Sequence, residues 1–82
     1  MMAEGWLIHQ EGLVARFHRD EKSLLRDPML FVDYGKEMPE GQPALLKSRR
    51  HLRKPEAVEL WKSMKRNGWK PSRPLWGADS EV

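Results

Sequence analysis

The sequence contains no cysteine, which excludes a disulfide framework and a zinc site built on thiolates. A chain of 82 residues without such cross-links depends on packing alone and suits a reducing compartment, so we expect a cytoplasmic protein. Long apolar runs are missing as well. The longest, Met29-Leu30-Phe31-Val32, is far shorter than the roughly 20 residues of a spanning helix. Because a signal-peptide pattern is also missing, neither secretion nor membrane insertion is expected.

The residue groupings that catalysis and cofactor binding require are missing too. The glycines are scattered, without the spacing of a phosphate-binding or dinucleotide-binding loop, and no serine stands in a nucleophile elbow. The histidines lack the spacings typical of metal ligands, so we interpret them as solvated or structural residues: His9, His18 and His51. The sequence therefore predicts no metal, no cofactor and no enzymatic activity.

Positive charge, by contrast, is concentrated in one part of the chain. Residues 1–46 hold five Lys/Arg and eight Asp/Glu, a net charge of −3. Residues 47–73 hold ten Lys/Arg and two Asp/Glu, a net charge of +8, and two acids near the C-terminus bring the whole chain to +3. Such a difference between two parts of one chain indicates a polyanionic partner.

Three segments of the first half have strand composition. Residues 5–9 and 13–17 flank Gln10-Glu11-Gly12, a three-residue loop whose glycine can take a positive φ, which is typical of a β-hairpin. Residues 29–33 predict a third, short strand. The glycines and prolines of residues 34–43 predict a loop.

Residues 44–52 fit two structures. A strand would divide them between one face with Leu45, Lys47, Arg49 and His51 and another with Ala44, Leu46, Ser48, Arg50 and Leu52. A helix would begin at Pro43 and form a helix-turn-helix with the next element. We favour the strand, because the three leucines make a thin apolar stripe for a core-facing helix.

The clearest element is a helix from Pro55 to about Arg66. Its apolar residues recur at i, i+3, i+4 and i+7, and they are Ala57, Leu60, Trp61 and Met64. Asn67-Gly68 supplies a left-handed ending, over which Trp69 is expected to fold back onto Met64. The basic residues of the helix fall on one flank and the acidic residues on the other.

These elements predict an α+β domain over residues 1–76, with a flexible tail at residues 77–82. Its architecture is a small antiparallel sheet of three to four strands packed against one C-terminal helix. The expected core consists of Trp6 or Leu7, with Ile8, Ala15, Phe17, Phe31, Leu45, Leu60, Trp61, Met64 and Trp69.

Several short motifs together resemble a known family. They are the GWL and FVD strands, the stretch GQPALLKSRRHL at residues 41–52, the helix with Ala57 and Leu60-Trp61, Gly68-Trp69, and Pro74-Leu75-Trp76. This pattern, over nearly the whole chain, resembles a small cyanobacterial family of proteins of unknown function. The resemblance implies a single-domain architecture, and it supplies no activity to carry over, because none is established for the family. The family usually has a hydroxyl-bearing cap before the helix, where this chain has Lys54.

The basic segment predicts non-catalytic binding of nucleic acid, because Lys and Arg gain free energy by releasing the counterions of a polyanion. The candidate residues are Arg49, Arg50, Arg53, Lys62, Lys65 and Arg66. Such binding requires these side chains on one continuous face. The competing interpretation is a solvated surface, or pairing with the acidic first half of the chain.

A protein-interaction adaptor or small regulatory protein is the alternative function. It would use an apolar patch near the C-terminus, formed by Val58, Leu75 and Trp76. An acidic protein is then the expected partner in place of nucleic acid.

Overall fold

The computed structural model of the chain describes residues 4–39, 42 and 44–74. The elements are β1 (Gly5–Ile8), β2 (Leu13–Arg19), β3 (Met29–Lys36), β4 (Leu45–Arg53), α1 (Lys54–Arg66) and β5 (Lys70–Ser72). The strands form one antiparallel sheet in the order β4-β3-β2-β1-β5. The α+β class is confirmed, whereas the predicted number of three to four strands is wrong, because the sheet has five.

The strand missed by the prediction is β5, which has only three residues and includes Pro71. Proline cannot donate to a sheet ladder, so it is tolerated in an edge strand such as this one, which pairs with β1 alone. Since β4 and β5 form opposite edges of the sheet and α1 connects them, the helix crosses one face of the sheet. The other face carries no helix among the described residues.

The predicted hairpin and the strand interpretation of residues 44–52 are both confirmed. Gly12 closes the hairpin turn with a φ of 82°. Strand β3 runs to Lys36, so the predicted loop at residues 34–43 begins later than expected. Strand β4 passes directly into α1, where the backbone N–H of Arg53 donates to Glu56 Oε1 at 3.1 Å. That carboxylate satisfies one N–H at a helix start that lacks a hydroxyl cap.

The main core lies between the sheet and the helix. Its buried members are Leu7, Ala15, Phe17, Leu30 and Val32 from the sheet, with Ala57, Trp61 and Met64 from the helix. The Phe17 and Trp61 rings meet edge to face, with centroids 5.1 Å apart and an interplanar angle of 84°. Leu60 and Trp69 pack against this core from positions that are partly buried.

Three residues of the predicted core lie outside it. Ile8 and Phe31 lie on the helix-free face and are partly exposed, while Leu45 is 49% exposed. The prediction was wrong for Phe31 because its neighbours Leu30 and Val32 are also apolar, so the sequence has no alternation to show which of them points inward. A second small cluster on the helix-free face buries Trp6 and Val14.

The end of α1 agrees with the predicted left-handed ending. Gly68 has a φ of 96°, and the N–H of Trp69 donates to the carbonyl of Met64 at 3.0 Å. We expect Gly68→Ala to lower the free energy of unfolding by about 1 kcal/mol, because a Cβ is disfavoured at this φ. Urea denaturation followed by tryptophan fluorescence measures the change. A gain in stability would contradict the left-handed ending, since alanine stabilises where it fits.

Candidate functional site

The helix-free face of the sheet carries an unusual combination of charged and ring-bearing side chains. Strand alternation and the observed register place its members side by side on β1 to β4. They are Trp6, Ile8, Val14, Arg16, His18, Met29, Phe31, Asp33, Leu46, Arg49, His51 and Arg53. By the register, Ile8, Val14 and Leu46 lie toward one end of the strands and His18, Phe31 and His51 toward the other, with Trp6, Arg16, Asp33 and Arg49 in the row between them.

A bulge in β4 determines which of its side chains reach this face. Tyr34 pairs with Ser48, but Gly35 pairs with Leu46, so the register skips Lys47. The extra residue reverses the alternation of β4 at that point. As a result Leu46 joins Arg49 on the helix-free face, whereas the unbroken alternation predicted from the sequence had put them on opposite faces.

At the centre of the helix-free face is a buried carboxylate, Asp33, which is only 1% exposed. Arg49 holds it from β4 with two hydrogen bonds, from Nε to Oδ1 at 2.6 Å and from Nη2 to Oδ2 at 3.0 Å. His18 Nε2 lies 2.8 Å from Oδ2. Because a carboxylate oxygen can only accept, Nε2 carries the proton in this contact.

These contacts determine the charge state of Asp33. Burial would raise its pKa, but the hydrogen bonds from Arg49 and His18 and their charges outweigh it and hold the pKa below its ordinary value. Asp33 is therefore an anion at neutral pH, and it cancels much of the charge of Arg49. Among the cations of β4, Arg49 is thus in part a structural residue.

Beside this carboxylate, three rings form a row across β2, β3 and β4, and we call His18, Phe31 and His51 the ring row. The Phe31 ring is 5.5 Å from His18 and 4.6 Å from His51, centroid to centroid. His51 stacks on Phe31 with an interplanar angle of 20°, and the Arg49 guanidinium carbon lies 4.5 Å from the Phe31 centroid. Aromatic and cationic groups are thus interleaved on one face.

The outermost ring of the row is fixed by a second carboxylate. His51 Nε2 lies 2.9 Å from Asp20 Oδ2. The hydrogen bond from the backbone N–H of Lys22 has the largest effect and lowers the pKa of Asp20; desolvation opposes it, and the hydrogen bond and charge of His51 lower the pKa further. Asp20 is therefore an anion that orients the His51 ring.

The structure divides the six predicted nucleic-acid-binding residues into two groups. Arg49 and Arg53 point to the helix-free face of β4, while Arg50 points to its other face. Lys62, Lys65 and Arg66 are exposed on α1, on the other side of the sheet from the ring row. The six therefore do not share the one continuous face that the sequence prediction required, which leaves the cations of β4 as the remaining candidates.

For the alternative function, Val58 is partly buried against the core and lines an open groove of about 500 Å³ with Pro28 and Pro55. Leu75 and Trp76 lie outside the described residues. The loop between β2 and β3 exposes two leucines that the prediction had not selected, Leu24 at 61% and Leu25 at 83%.

Sequence reasoning missed the ring row and the buried carboxylate. Asp33 offered one signal, a charged residue closely following an apolar run, in a segment predicted to be a strand. His18 and His51 could not be joined to it without the register, because they lie 15 and 18 positions away in the chain.

Among the described residues no group of three or more His, Asp or Glu could hold a metal ion. The arrangement is suited to binding anions and flat rings.

A family model described as a protein of unknown function (DUF1651) matches residues 4–76. No curated protein and no solved structure matches the chain. Within the described residues, no helix is long and apolar enough to cross a membrane.

Proposed function

We propose that this chain, which belongs to the DUF1651 family of proteins of unknown function, binds nucleic acid without catalysing a reaction on it. The observation that carries the proposal is the exposed strand β4, which forms one edge of the sheet. The nine residues of β4 include four cations, which are Lys47, Arg49, Arg50 and Arg53. A fifth cation, Lys54, follows directly at the start of α1.

The state of these cations argues against the interpretation that they pair with the acidic first half of the chain. Arg49 is engaged by Asp33, but Lys47, Arg50 and Arg53 form no ion pair with another described residue. Three exposed cations on a single strand keep their charge available to a polyanion. Arg50 and Arg53 point to opposite faces of β4, so these cations line the edge of the sheet along the strand and do not share one face.

The first test of this function is binding to a fluorescently labelled duplex and to a single strand of the same length. We expect micromolar binding that weakens as salt is added, since phosphate contacts release counterions. If neither probe shows salt-sensitive binding at micromolar protein, the proposal fails.

A pair of matched double variants tests which cations make the contact. We expect Arg50→Gln with Arg53→Gln to weaken binding about tenfold and to lower the slope of log K against log salt by about 1.4 to 1.8. Lys62→Gln with Lys65→Gln removes the same charge from the helix and should change the affinity about twofold or less. Equal losses in the two variants would mean that net charge, and not β4, governs binding.

A second candidate function is that of a protein-interaction adaptor. The exposed Leu24 and Leu25, together with the groove at Val58, favour it as an apolar surface of the described structure. An acidic protein would be its partner. Pull-down with the parent chain and with Leu24→Ser/Leu25→Ser tests it, with Trp76→Ala as a separate arm, and an unchanged set of partners in both arms would contradict it.

A further inference from the structure

His51 differs from the other two rings of the ring row in its surroundings. It stands on the edge strand β4, and its side chain is 45% exposed. One of its two ring faces stacks on Phe31. No other ring among the described residues contacts His51, so the second face of the His51 ring is the end of the ring row, at the edge of the sheet.

The orientation of this ring is set before any ligand arrives. Asp20 binds its Nε2 at 2.9 Å and Phe31 supports it from behind at 4.6 Å. A side chain that is already held in place loses little conformational entropy when another ring stacks on it. His51 is therefore a pre-positioned stacking surface.

One available cation stands beside this surface. Arg53 follows His51 by two residues on the same face of β4, whereas Arg49, two residues before His51, is held by Asp33. A flat ring next to a cation matches the repeating unit of a single-stranded nucleic acid, in which bases alternate with phosphates. In a duplex the faces of the bases are stacked on one another and are not offered to a side chain.

We propose that His51 stacks on an unpaired base of a single-stranded nucleic acid, with Arg53 contacting the adjacent phosphate. The inference rests on the proposed nucleic-acid binding and narrows its ligand to single strands. Asp20 and Phe31 act as positioning residues, because they hold the His51 ring without touching the ligand.

The first experiment compares four probes of twelve nucleotides at one salt concentration. They are oligouridylate, oligothymidylate, a mixed-sequence DNA duplex and a DNA backbone that lacks bases. We expect both single strands to bind at least fivefold more tightly than the duplex and the base-free strand, since only an unpaired base can stack on the His51 ring.

Variants of the ring locate the effect. His51→Ala should weaken both single strands at least fivefold and leave the duplex within about twofold. His51→Phe should retain most of the single-strand affinity, because it keeps a stacking ring. His9→Ala is the control, because His9 directly follows β1 and contacts Trp69, and it does not contact the ring row. Circular dichroism confirms that each variant is folded.

The outcomes separate this inference from the function on which it rests. If the duplex binds as tightly as the single strands and His51→Ala changes neither, stacking is refuted while nucleic-acid binding stands. If polyglutamate displaces the single strands and His51→Ala has no effect, β4 serves an acidic peptide and the inference is wrong. Absence of binding to all four probes overturns both.

Discussion

Gly35→Ala is expected to destabilise the fold by about 3 kcal/mol, the upper end of the usual cost of inserting an atom into a filled space. A Cβ at this position would overlap the carbonyl oxygen of Leu45 and would lie 3.0 Å from its carbonyl carbon and 3.1 Å from Leu46 Cα. All of these atoms are backbone, so no side-chain rotation relieves the overlap. The substitution must therefore distort the bulge or disrupt the pairing of β3 with β4.

Urea denaturation followed by tryptophan fluorescence measures this loss, and a small domain has only a few kcal/mol in reserve. Leu45→Ala is the matched control, because it alters the half-exposed side chain of the residue whose backbone is in conflict. It should change stability by no more than about 0.5 kcal/mol. If the midpoint of urea unfolding is the same for Gly35→Ala as for the parent protein, the tight approach of the two backbones at the bulge is refuted.

The same bulge shows why the face assignment of β4 could not be predicted. A strand reading of residues 44–52 assumes unbroken alternation, and the insertion at Lys47 depends on how Gly35 of another strand meets Leu46. The glycine itself was visible in the sequence, but it was interpreted as part of a loop. In a sequence, a glycine that is required by the close approach of two backbones cannot be distinguished from a glycine in a loop.

Features with a local cause were predicted correctly. The hairpin at Gly12 and the helix ending at Gly68 each depend on a few neighbouring residues, and the apolar spacing of α1 marks its inner face without reference to the sheet. Strand β5 had no such signal, because its three residues are extended only through pairing with β1, more than sixty positions earlier.

The candidate site divides in the same way. The cations of β4 are adjacent in the chain, so composition alone was enough to select Arg49, Arg50 and Arg53. Their state was not predictable, since Arg49 meets Asp33 across a register that the chain reveals only when folded. The helix cations belong to another surface because α1 crosses the opposite face of the sheet.

The second large expected effect concerns the buried carboxylate. We expect Asp33→Asn to lower the free energy of unfolding by about 2 to 3 kcal/mol at pH 7, since hydrogen bonds to a charged group contribute more than neutral ones. The variant keeps the shape of the side chain but removes its charge, which leaves the Arg49 guanidinium with a weaker partner. Asp27→Asn, in an exposed turn of the β2–β3 loop, is the control and should change stability by about 0.5 kcal/mol or less.

The pH dependence of that loss identifies its cause. The pKa of Asp33 is lower in the folded chain than its ordinary value of 3.8. The ionised carboxylate therefore stabilises the fold fully at pH values above the unfolded pKa, and this stabilisation is lost as the pH falls through the folded pKa. The difference in urea midpoint between Asp33→Asn and the parent should therefore shrink as the pH falls below about 4. A difference that stays constant down to pH 2.5 would assign the loss to altered packing, and equal stabilities at pH 7 would mean that desolvation of the carboxylate cancels its hydrogen bonds.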